Sequence, residues 1–406
     1  MIHRFSVSNY GSIREEVTLD LRIPGTTPDM PCFRHSAAKP DVKLPAVAVL
    51  MGPNGSGKST LLRALVEVAR VASTPATSEE GPLIMAPFYS EDGWAKPTRF
   101  RLEGEWDFLI PGQPPTRFVY ELSIGHDESE EIEDPVVGHE ALVYYPKGRR
   151  RRIFERRGPG SPIYVGGELG VTRGDDRLKA VRPDSSVIAT LSLFNVPLAK
   201  RIAGRMKAFL RTTNIVPYGF PRTWSPSSKD VIRMLEQDSS VRAWVEERMK
   251  CSDLGIRDMS IREDVFVEKS VLFGHYGLNM RVLLEEESRG TQRLFHLFPQ
   301  IIPALKEAGL AILDEIDGHL HVDIVSEILG WFRSQDSNPH DAQLLVTSHH
   351  VGLLDDLEKE EVFIVEKDDT GATRIHGAQD VKGLRRDVRL YPKYRAGVLG
   401  GIPRIG

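Results

Sequence analysis

The chain has 406 residues, 40% of them hydrophobic and 27% charged, with a formal net charge of −4. That length exceeds one ordinary domain, and that balance gives no overall pull toward nucleic acid or an acidic membrane, so any such contact needs a local patch. No apolar run approaches the roughly 18 residues of a membrane span, no export signal is evident, and Cys32 and Cys251 have no metal-type spacing, so a cytoplasmic, reducing location is expected.

In chain order, Phe5 and Val7, then Val17, Leu19 and Leu21, alternate around Asn9-Tyr10-Gly11 and predict a hairpin. Ala46–Met51 is a short apolar run suited to a buried strand, and Leu61, Leu62, Leu65, Val66 and Ala69 then fall at helical spacing within residues 59–70. After a turn-rich stretch from Ser73 to Pro97, strand patterns at residues 98–108, 117–124, 139–145 and 152–155 predict an antiparallel layer. Helical periodicity takes over between residues 186 and 250, interrupted by the proline-rich loop Pro217 to Pro226. Strands return from Asp258 to Glu285 and a helix from Ser288 to Gly309. Leu310–Leu313 and Leu344–Val346 then read as buried parallel strands. The expected organisation is α/β, a mixed sheet with an antiparallel β layer: a lobe over 1–185, a helical insertion over 186–257 and a second lobe over 258–406.

Between the strand at 46–51 and its helix stands Gly52-Pro53-Asn54-Gly55-Ser56-Gly57-Lys58-Ser59-Thr60, the pattern G-x-x-x-x-G-K-[ST]. Its glycines let backbone N–H groups curl around a phosphate chain, and the helix N-terminus adds partial positive charge. Gly52, Asn54, Gly55, Ser56, Gly57, Lys58, Ser59 and Thr60 are therefore the candidate residues for a nucleoside triphosphate, with Lys58 reaching its β- and γ-phosphates and the Ser59 hydroxyl ligating Mg²⁺.

The strand Leu310–Leu313 ends in Asp314 and Glu315, which places one carboxylate for Mg²⁺ at the strand tip and a second to polarise the attacking water. Thr347-Ser348-His349-His350 follows another apolar strand, and His349, favoured over His350, suits a γ-phosphate oxygen. Ser288 is explained by helix capping alone; the sharper reading makes Ser288 and the Gly290 amide a phosphate sensor donated across a dimer interface. His319 and His321 have a ligand-like H-x-H spacing with no third ligand in view, and a dimer-interface loop is the preferred reading over zinc. Lys147 to Arg152, with Arg156 and Arg157, is either a solvated hairpin tip facing the acidic run Asp127 to Asp134 or a contact for nucleic acid or an acidic partner protein.

Taken in this order, the motifs resemble an ABC-type ATPase head of the SMC and RecF class. Over essentially the full length the chain is similar to the AbiL/RloA-like ATPases of prokaryotic abortive-infection and restriction-linked loci. The residues that carry this are Phe5-Ser6-Val7-Ser8-Asn9-Tyr10, Ser288-Arg289-Gly290-Thr291 and Asp314-Glu315-Ile316-Asp317-Gly318-His319-Leu320-His321. Phe363-Ile364-Val365-Glu366-Lys367 and a tail with Arg386, Asp387, Tyr394, Gly397, Gly400, Gly401 and Pro403 complete them.

The resemblance implies a P-loop fold of the ABC type and ATP-dependent pairing into a homodimer or higher homo-oligomer, two nucleotides lying between facing heads. It also implies a part in defence against phage beside a separately encoded effector, a toxin or nuclease; no membrane partner is expected, on the charge balance and the lack of a long apolar run. Two departures stand out. No glutamine occurs between the P-loop and Gln113, so the family's Q-loop residue is missing, and the signature begins Glu-Ser-Arg-Gly, which adds Arg289. The alternative is a DNA-binding repair or recombination ATPase using Arg149 to Arg152.

Overall fold

The computed structural model describes residues 1–76, 83–107, 114–126, 134–160, 162–216, 228–252, 255–263 and 269–402. The proline-rich loop, most of the acidic run, Phe108, Gln113 and Pro403 lie outside them.

The chain opens with the expected hairpin, β1 (Ile2–Ser8) and β2 (Val17–Asp20), paired antiparallel. A short ladder, β3 (Phe33–His35) and β4 (Lys43–Pro45), leads to β5 (Val47–Met51) and the helix α1 (Lys58–Ser73). After the single-turn α2 (Glu91–Trp94), the strands β6 (Thr98–Trp106), β7 (Thr116–His126), β8 (Pro135–Tyr144), β9 (Arg151–Arg157) and β10 (Tyr164–Val165) extend the hairpin. The result is an antiparallel sheet of order β10-β9-β8-β7-β6-β1-β2. Five helices follow: α3 (Asp176–Lys179), α4 (Val187–Leu193), α5 (Pro197–Arg211), α6 (Ser228–Gln237) and α7 (Ser239–Cys251). A small antiparallel sheet of β11 (Ile256–Arg262), β12 (Ser270–His275) and β13 (Val282–Leu283) precedes α8 (Arg289–Lys306).

The centre of the molecule is a five-stranded sheet of order β14-β15-β5-β16-β17, formed by β14 (Leu310–Leu313), β15 (Gln343–Thr347), β5, β16 (Val362–Lys367) and β17 (Thr373–Gly377). The first four are parallel and β17 is antiparallel, so the sheet is mixed as expected. Helix α9 (Val322–Arg333) connects β14 to β15, and α10 (Leu390–Arg395) closes the described fold.

Two hydrophobic cores cover the two faces of this sheet. Ala48, Leu50, Ile312, Leu345 and Val365 enter one, with α1 and the antiparallel layer; Val47, Val49, Met51, Leu313, Val346 and Ile364 enter the other, with α8 and α9. Burial on both faces is why these strands are continuous apolar runs without alternation. The residues expected as one insertion, 186–257, divide between the cores. Helices α4 and α5 bury Val187, Ile188, Leu191, Leu198, Ile202 and Met206 beside α1, whereas α6 and α7 bury Val231, Leu235, Val241 and Val245 beside α8. Their periodicity gives each helix an apolar stripe but does not say which neighbour covers it. Among the described residues no single helix is long and apolar enough to cross a membrane.

The glycine-rich tail has a structural use. Tyr394 Oη donates to the Gly401 carbonyl at 2.6 Å and the Gly401 N–H donates to Glu366 Oε2 at 2.9 Å. Gly401, at φ +67, lies so close to β16 that a Cβ there would stand 2.7 Å from Ile364 Cγ2. The tail thus packs beneath the start of the P-loop.

Candidate functional site

Parallel strands end on one side of the sheet, and the loops leaving β5, β14 and β15 meet there, the usual place for a ligand in an open α/β sheet. A cavity of about 550 Å³ opens between them, lined by Ser12, the P-loop residues Asn54 to Thr60, Glu315, Asp317, Gly318 and His349.

The P-loop owes its shape to glycine. Gly52 sits at φ +148, and a Cβ on it would lie 2.0 Å from the Val365 carbonyl oxygen; Gly57 sits at φ +109 against Thr373. Lys58 opens α1 and turns back over the loop, its Nζ donating to the Gly52 and Pro53 carbonyls at 2.9 and 3.0 Å. Burial lowers the Lys58 pKa from the ordinary lysine range, while Asp314, Glu315 and Asp317 pull it up. A desolvated cation faces three carboxylates across an open cavity, which favours polyanionic phosphate bridged by a divalent cation. The Ser56 hydroxyl is buried without a hydrogen-bond partner among the described residues. These features fit a nucleoside triphosphate with Mg²⁺.

The loop is tied down by residues that local pattern did not mark. Thr373 Oγ1 donates to the Ser56 carbonyl at 2.8 Å and shares a hydrogen bond of 2.8 Å with Ser12 Oγ. The hairpin turn after β1 is thereby fixed against the phosphate loop.

On the facing side, Asp314 and Glu315 follow β14. Thr347 Oγ1, at the tip of β15, donates to Asp314 Oδ1 at 2.6 Å and accepts the Glu315 N–H at 2.7 Å. Asn214 Nδ2 donates to the Asp314 carbonyl at 2.8 Å and Asn214 Oδ1 accepts the Asp314 N–H at 2.7 Å. Asn214 stands where the chain leaves α5, in a segment that runs alongside β14 through a parallel bridge of Thr213 to Ile312. The amide of Asn214 thus grips the backbone of the strand tip.

Asp317 Oδ2 accepts from Ser348 Oγ at 3.0 Å and from the His349 N–H at 2.8 Å, so the loop after β14 braces the loop after β15. His349 lines the cavity, whereas His350 immediately precedes a 3₁₀ turn with its ring against Gly352.

The structure brings Asn54 to Thr60, Glu315 and His349 around one cavity, with Gly52 buried below and Asp314 one residue behind. It does not bring Ser288 and Gly290 there. Ser288 is the N-cap of α8, its Oγ accepting the Thr291 N–H at 3.1 Å, and Gly290 packs against the His319 carbonyl. His319 and His321 also part: His319 is exposed at φ +64, and His321 caps α9 by accepting the Asp323 N–H. Among the described residues no three His, Cys, Asp or Glu side chains group as a metal site.

The basic run needs one correction. Arg156 is fully buried and donates to the Ser185 carbonyl at 2.7 Å and to the Pro159, Arg182 and Pro183 carbonyls, so it holds a loop together and is no part of a surface patch. A β-strand alternates its faces, and Arg156 falls on the inner one. Lys147, Arg149 and Arg151 are exposed.

Residues 47–355 match a family described as "AAA domain, putative AbiEii toxin, Type IV TA system". No curated protein matches the chain significantly. Among solved structures, an SMC head bound to the C-winged helix domain of ScpA aligns over 92% of this chain and 97% of its own, at 14% identity and TM-score 0.45. The SMC head domain from Thermotoga maritima aligns over 93% and 98%, at 13% and 0.40. The Smc head domain with an extended coiled coil bound to the C-terminal domain of ScpA, from Pyrococcus furiosus, aligns over 97% and 98%, at 12% and 0.44. The family match spans three-quarters of the chain and contains the P-loop, both carboxylates and His349. The chain belongs to this family of AAA-type ATPase domains.

Proposed function

We propose that the chain is an Mg²⁺-dependent ATPase that pairs with a second copy, each head completing the other's nucleotide site. It would act as the sensor of a prokaryotic anti-phage system with a separately encoded effector. The observation that carries this is the division of the motifs: the P-loop, Glu315 and His349 share one cavity, while Ser288 and Arg289 stand exposed outside it at the start of α8. A helix N-terminus with orphan N–H groups suits a γ-phosphate presented by a neighbour.

In this reading the P-loop amides and Lys58 hold the phosphates, and Ser59 and Asp314 hold Mg²⁺. When bound, the metal neutralises charge on the β- and γ-phosphates. Glu315 takes the proton of the attacking water, His349 donates to a γ-phosphate oxygen, and Ser288 with the Gly290 amide closes the partner's site. The defence role rests on the toxin–antitoxin wording of the family and on the sequence resemblance.

The test is Glu315→Gln. Turnover should fall at least ~10²-fold, and light scattering with Mg²⁺ and ATP should show a persistent dimer. Normal hydrolysis would remove Glu315 from its role, and a nucleotide-saturated monomer would remove the shared site.

A second reading, a DNA-binding repair or recombination ATPase, has one observation in its favour. A groove of about 1100 Å³ at the β8–β9 turn is lined by Arg117, Lys147, Arg149, Arg151 and Arg201 around Tyr145, with Arg117 4.1 Å over the Tyr145 ring. It lies at the end of the antiparallel sheet away from the P-loop, since Tyr144 pairs with Phe118 while Ser8 pairs with Arg99 at the other end. DNA binding with a steep salt dependence, lost when Lys147, Arg149 and Arg151 are all changed to Gln, would favour it. Unchanged binding would exclude the groove.

A further inference from the structure

The backbone of Asp314 and Glu315 is gripped from two sides. Asn214 holds Asp314 from the end of α5, and Arg293 reaches Glu315 from α8, its Nη2 donating to the Glu315 carbonyl at 3.3 Å. Arg293 is no ordinary surface arginine. Its Nε is buried without a hydrogen-bond partner among the described residues. Burial lowers the guanidinium pKa, and the charges of Glu315, Asp314 and Asp317 draw it back up.

Glu315 itself sits at φ +48, a backbone conformation that a non-glycine residue holds only where its surroundings impose it. Contacts on both sides of its peptide impose it here. The Glu315 N–H donates to Thr347 Oγ1, and the following N–H of Ile316 donates to the Thr347 carbonyl. The Glu315 carbonyl accepts from the Gly318 N–H at 3.0 Å within its own turn and from Arg293 at 3.3 Å from α8. The helix that carries Arg293 begins with Ser288 and Gly290, and Gly290 packs against the carbonyl of His319 in the loop that follows Glu315.

We infer that Arg293 is a positioning residue, fixing the peptide of Glu315 and so the aim of its carboxylate to the helix that begins at Ser288. The inference rests on the reading of Glu315 as the water-polarising group. A helix is stiff over one and a half turns, so a shift of its first residues against a partner's phosphates moves Arg293 with them. The acid is then aligned when the neighbouring head is engaged, through a link made entirely within one chain.

Steady-state hydrolysis and equilibrium ATP binding of the full chain, with Mg²⁺, test this on wild type, Arg293→Ala, Arg293→Lys, Glu315→Gln and Arg293→Ala/Glu315→Gln. Arg293→Ala should lower kcat about tenfold, with KM and nucleotide affinity within about twofold, and Arg293→Lys should recover most of the loss. In the Glu315→Gln background the same change should cost nothing further, because residues that act through one another are not additive. Wild-type kcat in Arg293→Ala beside an inactive Glu315→Gln overturns the inference and leaves the proposed function standing. A loss of ATP affinity that matches the loss of kcat also overturns it, making Arg293 structural or a nucleotide contact. Full turnover by Glu315→Gln overturns both. Should Arg293→Ala not fold, Arg293→Gln, which keeps a shorter neutral donor, is judged by the same criteria.

Discussion

The phosphate loop and the Asp314–Glu315 corner face each other across the cavity and are held in different ways. The loop closes largely on itself, Lys58 donating to carbonyls six and five residues before it and Ser56 N–H to that of Pro53. From outside it is seated on the neighbouring strands β16 and β17 and the turn after β1, through Val365, Thr373 and Ser12. The corner has one local contact, the Gly318 N–H on the Glu315 carbonyl, and its other holds come from residues remote in sequence, Asn214 at a separation of 100, Thr347 at 33 and Arg293 at 22. A loop that closes on its own carbonyls and sits against the sheet presents one rigid shape to phosphate. A corner whose contacts come from α5, β15 and α8 takes its shape from three elements, and a movement of any of them reaches the carboxylates. On the proposed function, rigid binding and adjustable chemistry thus fall on opposite walls.

Gly52→Ala should produce the largest effect, and it acts on the rigid wall. The added Cβ would meet the Val365 carbonyl oxygen at 2.0 Å, and neither can swing aside, since a Cβ is fixed by its own backbone and the oxygen belongs to that of β16. Strain of roughly 3 kcal/mol corresponds to about a hundredfold loss of ATP affinity, read by calorimetric titration. Gly55→Ala sharpens the point. Nothing lies within 4 Å of its would-be Cβ, so only the positive φ of +74 is penalised, at ~1–2 kcal/mol. Equal losses from the two would show that the loop is not seated on β16 as described.

The same division decides what the sequence reveals. The phosphate loop, the buried strands and the acidic pair are legible because each is written in consecutive residues: an apolar run, then glycines or carboxylates at a fixed offset. The split of the helical region is not legible. The stripes of α4, α5, α6 and α7 are equally apolar, and only the sheet between the two cores sends them to opposite faces. Ser288 carries a legible capping signal and is a cap; whether it also meets a neighbour's nucleotide depends on a second copy. Arg156 reads as one more cation in a basic run until the strand is seen to turn it inward. Asn214, Arg293 and Thr373 have no local pattern at all, since what identifies them is the distant peptide each one holds.

Asn214→Ala should have the smaller effect and a different character, because it acts on the adjustable wall. It removes two hydrogen bonds and leaves the N–H and carbonyl of Asp314 without those partners, a loss of ~1–3 kcal/mol. That loss falls on the strand tip that presents Asp314, so kcat should drop roughly tenfold and the Mg²⁺ concentration for half-maximal activity should rise. Nucleotide affinity without metal should stay near wild type, because the hydrogen bonds of Asn214 go to Asp314 and Ile312 and not to the P-loop. Asn214→Asp is the finer probe. It still accepts the Asp314 N–H but can no longer donate to the Asp314 carbonyl, and it adds negative charge beside Asp314, Glu315 and Asp317. Its half-maximal Mg²⁺ should therefore lie below that of Asn214→Ala, since an added carboxylate attracts the cation, while its kcat falls as far because the grip is broken. If either variant weakens metal-free ATP binding as much as Gly52→Ala does, the two walls are not separable and the contrast between them fails.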